Sequence, residues 1–108
     1  MRKPVRFYGP AQLPNTTGTR YTVPASTTAI LRHIKLSNPT GSPVTFTLSI
    51  GADAAGTRIY DAYSVAAGAN LDIWVYEPLT AAEILAANAG TATALVVTLS
   101  GDELSVGY

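Results

Sequence analysis

Histidine occurs once in this 108-residue chain, at position 33, and cysteine not at all. Zinc- or copper-type centres draw on several His or Cys ligands, so His33 has no such partners from which to build one. A Ser–His–Asp relay needs a serine presented on a sharp turn. No serine here stands in a Gly-x-Ser-x-Gly or comparable context. His33 is therefore expected on a surface or interface strand. Paired carboxylates can hydrolyse glycosidic bonds. Asp53, Asp61, Asp72 and Glu77, however, fall at strand ends or on polar strand faces, where a sandwich keeps its solvating charges. The run Gly-Ala-Asp-Ala-Ala-Gly-Thr-Arg (51–58) superficially suggests a calcium or phosphate loop. It has one carboxylate, no EF-hand spacing and no Gly-Lys-Ser/Thr, and reads as a hairpin loop. No catalytic, metal or cofactor-binding residue is expected, and no enzyme.

Binding chemistry is better represented. Tyr60, Tyr63, Trp74 and Tyr76 lie on central strands, and Trp74 and Tyr76 alternate with Ile73 and Val75. Both faces of that strand are thus apolar. Either one face is core and the other is covered by neighbouring chain, or the aromatics form a platform for a sugar or a protein partner. The N-terminal Met-Arg-Lys-Pro-Val-Arg offers three basic residues without interleaved aromatics, too little to predict a nucleic-acid partner. The interface residues expected from sequence are Val5, Phe7, Tyr8, Arg20, Lys35, Tyr60, Tyr63, Trp74 and Tyr76.

The elements that position these side chains follow from periodicity and turn chemistry. Residues 1–17 hold Pro4, Pro10 and Pro14. Each proline lacks a backbone donor and biases its predecessor to extended geometry. This predicts an extended arm with a short strand at 5–8, docked on another subunit and set apart from a β-sandwich domain over 18–108. A strand at 19–23 ends at Pro24. Along 29–37, Ile30, Ile34 and Leu36 share one face and Leu31, His33, Lys35 and Ser37 the other. Arg32 falls on the apolar face, near an edge or with its stem buried. Asn38-Pro39 opens a turn, and Val44, Phe46, Leu48 and Ile50 then alternate with Thr45, Thr47 and Ser49. Strands follow at 57–63 and 71–76, the second stopped by Pro78. Residues 79–90 are helical in composition, but a helix so short is marginal. A turn at 80–82 and a strand near 84–87 are expected instead. A strand at 93–100, a turn at Gly101-Asp102 and a last strand at 103–106 complete the series. Short strands at such spacing indicate an all-β fold, a single antiparallel β-sandwich or jelly-roll-like domain. A parallel sheet would need crossover helices for which the chain has no room.

Charged residues make up 13% of the chain, about half the usual share. A surface so weakly charged hints at burial against partners and predicts a homo-oligomer. No signal peptide is visible, and the apolar runs fall far short of a membrane span, so no membrane partner is expected. Asn15-Thr16-Thr17 fits a glycosylation acceptor, a short pattern that arises by chance. The net charge of zero conceals a split: residues 1–50 carry +6 and residues 51–108 carry −6. Strands from the two halves can pair within one molecule. Alternatively, a molecule with a positive and a negative end stacks on copies of itself.

The order Tyr21-Thr22-Val23-Pro24, a strand ending at Asn38 before a Gly/Ser turn, the Thr-rich strand 44–50, the turn Ala66-Ala67-Gly68 and Thr98-Leu99-Ser100-Gly101 resembles small all-β virion proteins of tailed bacteriophages. The resemblance spans about residues 20–101. Where such proteins often carry an apolar-Gly-Asp turn, this chain has Pro78-Leu79-Thr80-Ala81-Ala82-Glu83. It implies no catalytic residue. It implies a structural protein of the virion, made in the host cytoplasm, that decorates a capsid or serves as a head or tail accessory subunit beside other virion proteins. The alternative is a tail-tip receptor- or carbohydrate-binding module with Trp74 and the tyrosines as its platform.

Overall fold

Alternating apolar and polar side chains become eight strands: β1 (Arg2–Gln12), β2 (Gly18–Thr22), β3 (Thr27–Ser37), β4 (Val44–Ile50), β5 (Arg58–Val65), β6 (Asn70–Leu79), β7 (Ile84–Ala89) and β8 (Val96–Ser105). The computed structural model describes residues 2–52, 54 and 56–105, with the backbone alone for Arg2 and Ser105. Asp53 and the end of the expected last strand, Val106, lie outside the described residues.

β1 pairs with β8, β2 with β7, β3 with β6 and β4 with β5, all antiparallel. The first half of the chain is therefore laid against the second as one long ribbon. Two further ladders, β3–β8 and β4–β7, roll that ribbon up. The result is two four-stranded sheets, β1-β8-β3-β6 and β2-β7-β4-β5. This is the winding of a jelly roll, a β-sandwich of two stacked antiparallel sheets. Phe46, Leu48, Leu31, Ile34, Leu36, Leu85, Leu95, Val97 and Leu99 are fully buried between the sheets. β4 keeps the alternation read from its sequence as far as Leu48, with Val44, Phe46 and Leu48 inward; beyond a register shift Ser49 is buried and Ile50 half-buried.

Four expectations are corrected. Residues 2–12 are extended, but they form the edge strand of the first sheet and not an arm that leaves the sandwich. Phe7 is buried and stacks on Tyr21 of the opposite sheet at 4.3 Å, and Leu13 is fully buried. Edge position explains why Pro4 and Pro10 are tolerated, since one side of an edge strand has no ladder to feed. Pro78 does not stop β6 for the same reason; it lies on the other edge, opposite Ile30. Gly101-Asp102 is not a turn. Both residues sit in β8 between β1 and β3, with Gly101 opposite Val5 and Leu31. A Cβ at 101 would run into the Ile30 carbonyl, so glycine serves close approach there. Finally, Leu31 is core and Arg32 is exposed, because the ladders shift register between Leu31 and His33. The bulge re-phases β3, so Ala29 and Leu31 before it and Ile34 and Leu36 after it all face inward.

Asn38 fastens the loops at one end of the roll. It is 1% exposed, and its amide nitrogen donates to the carbonyls of Ser42, Val65 and Ala66. Its side-chain oxygen accepts from the backbone and hydroxyl of Thr40. The β3–β4 and β5–β6 turns are thereby tied to one side chain. Among the described residues, every buried side-chain nitrogen and oxygen has a hydrogen-bond partner.

Candidate functional site

The outer face of the β1-β8-β3-β6 sheet is hollow along its middle, and the sequence of β8 shows why. Val97 and Leu99 point into the core, which leaves the small Thr98 and Ser100 on the outer face. On either side stand longer residues, Arg6 on β1 and Arg32 and His33 on β3. Trp74 of the edge strand β6 forms a further wall. The trough measures about 710 Å³. A second hollow of about 320 Å³ continues it past Arg6 and Thr98 towards Lys35 and Pro10.

Trp74 is 75% exposed and is held in place from one side. Its ring stacks on His33 with centroids 4.2 Å apart and planes 20° from parallel. His33 Nε2 is in turn hydrogen-bonded to Asp72 Oδ1 at 2.9 Å, and Lys35 Nζ donates to the same oxygen at 3.3 Å. The His33 bond, followed by that of Lys35, holds the Asp72 carboxyl below its ordinary range. Arg32 pairs with Asp102 at 3.2 Å, with the Asp102 side chain 12% exposed. Arg6 is exposed and has no hydrogen-bond or ion-pair partner among the described residues.

A different surface lies at the flank where β5 and β6 are the sheet edges. The two strands are joined by the turn at 66–69 but share no ladder, so the sandwich is open there. Ile59, Tyr60, Leu71, Ile73 and Val75 pack on the core and remain only half-buried. Tyr63 is 40% exposed and meets Tyr60 edge-on at 5.9 Å. Tyr76, 64% exposed, lies on the other face of β6, the one that carries Trp74. Burial, then the nearby Glu77 carboxylate, raises the Tyr60 hydroxyl above its usual range.

The expected interface residues thus fall into three groups. Tyr60, Tyr63, Trp74 and Tyr76 lie on the two edge strands of one side. Val5 and Tyr8 are half-buried against the chain's own core, and Phe7 is inside it, so their cover comes from within. Arg20 and Lys35 are engaged within the chain. Arg20 donates from Nε to the Ala87 carbonyl at 3.0 Å and from Nη2 to the Thr16 carbonyl at 2.8 Å. It clamps β2 to β7. Arg6, Arg32, Thr98 and Ser100 were not legible as site residues. The one available signal is that Thr98 and Ser100 are the small polar side of a strand whose other side is Val97 and Leu99.

The charge split also finds its arrangement. Jelly-roll pairing joins a first-half strand to a second-half strand at every ladder. In the first sheet the basic β3 therefore lies between β8, with Asp102, and β6, with Asp72. The pairs Arg32–Asp102 and Lys35–Asp72 meet within one molecule, as the first of the two alternatives had it. Arg58, the lone base of the second half, pairs with Asp61 of its own strand at 3.3 Å. Among the described residues no cluster of three His, Asp or Glu is placed to hold a metal ion, and no helix is long and apolar enough to cross a membrane.

The strand order defines the class, an eight-stranded jelly-roll β-sandwich. No protein-family model and no curated protein matches the sequence. Among solved structures the chain is similar to the VP2 subviral particle of infectious bursal disease virus, with a TM-score of 0.45 and 8% identity over 95% of this chain. The match spans 31% of that chain's length. The jelly-roll order stands on the ladders themselves.

Proposed function

We propose that this protein is a non-enzymatic structural subunit of a virion, a decoration or head–tail accessory protein of a tailed bacteriophage that works in many copies. The observation that carries the reading is the open flank. Half-buried Ile73, Val75 and Tyr60 and the more exposed Tyr63 present weakly polar surface on two unpaired edges. Such patches on small domains mark contact with other proteins. The 13% charge content and the sequence resemblance to phage virion proteins point the same way. Jelly rolls build capsids, an analogy of fold alone. A receptor- or glycan-binding reading has the exposure of Trp74 in its favour, on a different face.

Sedimentation of the purified chain, alone and with its virion partners, tests the docking role. The wild type is expected to self-associate or to bind a virion component. Tyr63→Lys is expected to abolish that association while the melting temperature stays within a few degrees. A monomer that binds no virion component overturns the reading.

A further inference from the structure

We propose that the trough on the outer face of the β1-β8-β3-β6 sheet is a binding site for an acidic oligosaccharide, one whose sugars carry carboxylates. It lies apart from the β5–β6 flank, so this proposal stands or falls independently of the docking role.

Three features converge on that ligand class. Trp74 offers a flat apolar ring, 75% exposed, which stacks on His33, itself hydrogen-bonded to the Asp72 carboxylate that Lys35 also holds. A rigid aromatic presents contact area at little entropic cost on binding. The floor is lined by Thr98 and Ser100, whose hydroxyls both donate and accept, which suits the hydroxyl pattern of a sugar. The guanidinium of Arg6 is unpartnered among the described residues, and a planar guanidinium matches a carboxylate with two parallel hydrogen bonds. The two hollows share Arg6 and Thr98, so the trough runs along the face and accommodates more than one sugar unit.

A polynucleotide is a poorer match. Tracking a phosphate backbone calls for an unbroken basic groove and successive stacking rings. Here Asp72 and Asp102 interrupt the basic residues, and of the two rings that line the trough only Trp74 is freely exposed, with His33 stacked against it. Asp102 does not bar an isolated carboxylate, because its side chain is largely buried against Arg32.

Trp74 is the sole tryptophan, so intrinsic fluorescence reports the site directly. The purified full chain is titrated with tri-galacturonate, with maltotriose as the neutral sugar, inorganic phosphate as the bare anion and a hexathymidylate as the nucleic acid. The expected result is a saturable change in Trp74 emission with tri-galacturonate, at an affinity at least about tenfold above that of the other three. Arg6→Ala should weaken it about tenfold. Trp74→Ala should abolish the ligand-induced shifts of the Thr98 and Ser100 amides in NMR spectra. Neither exposed substitution should change the melting temperature appreciably. No saturable response, equal binding of maltotriose, phosphate or hexathymidylate, or an Arg6→Ala variant that binds as well as the wild type overturns the proposal.

Discussion

At the scale of single residues, two side chains have effects out of proportion to their size. Asn38 satisfies three carbonyls from two different turns, and no apolar residue can replace those bonds. Asn38→Ala should cost about 2 kcal/mol, since buried acceptors are left unpaired. Thermal unfolding should show a fall of roughly 10 °C. Asp72 adds a pH-dependent contribution. Its carboxyl is held below the ordinary value of 3.8 by His33 and Lys35. A carboxyl depressed in the folded state contributes stability that is complete above its ordinary value and is lost as pH falls through the folded one. Asp72→Asn should therefore lose less stability than the wild type as pH is lowered below about 4, in melting curves recorded across that range. At neutral pH the difference should be small, because the pair is exposed.

Among the elements, β1 is the one whose role departs most from its composition. Three prolines in the first 17 residues read as an arm. Yet Phe7 stacks on Tyr21, Leu13 is fully buried, and the Leu13 amide donates to the Leu95 carbonyl. Deleting residues 1–13 removes two buried side chains, each contributing about 1.5–3 kcal/mol. It also bares the edge of β8. Against a typical domain stability of about 5–15 kcal/mol, the truncated chain should be largely unfolded or aggregated. Circular dichroism and size-exclusion chromatography check this. A folded truncated chain would mean that β1 is the detachable arm its prolines suggest. β8 illustrates the opposite lesson. Its Gly-Asp pair has turn chemistry, but a strand on either side recruits those residues into two ladders, and glycine then provides the room that Ile30 and Phe7 need.

For the whole molecule, the rolled ribbon brings opposite charges of its two halves together at two pairs. Arg32 meets Asp102 and Lys35 meets Asp72 inside one sandwich. The exposed Lys35–Asp72 pair adds little to stability, Asp102 is largely buried against Arg32, and neither pair is left over to steer neighbours. The flank proposed for docking is apolar and aromatic. Association through it should change little in rate between 0.1 and 1 M salt, although the Debye length falls from about 10 Å to about 3 Å. Stopped-flow mixing across that range decides the matter. A steep fall in rate would return the role to charge.

Local pattern was enough to place most strands. The alternation of Val44, Phe46 and Leu48, the apolar run around Ile34 and Leu36, and the turn then strand within the Ala-rich 79–90 segment are all written in neighbouring residues, because a strand's two faces repeat every second position. The absence of cysteine likewise settled the lack of disulfides from composition alone. Partner choice is another kind of property. That Val5 lies opposite Gly101, that Arg32 sits on a bulge, or that Thr98 and Ser100 become the floor of a trough between Arg6 and Trp74 depends on ladders between segments far apart in the chain. No local period encodes such pairings. They emerge when the two halves pair and roll, because only then do four separate strands share one face.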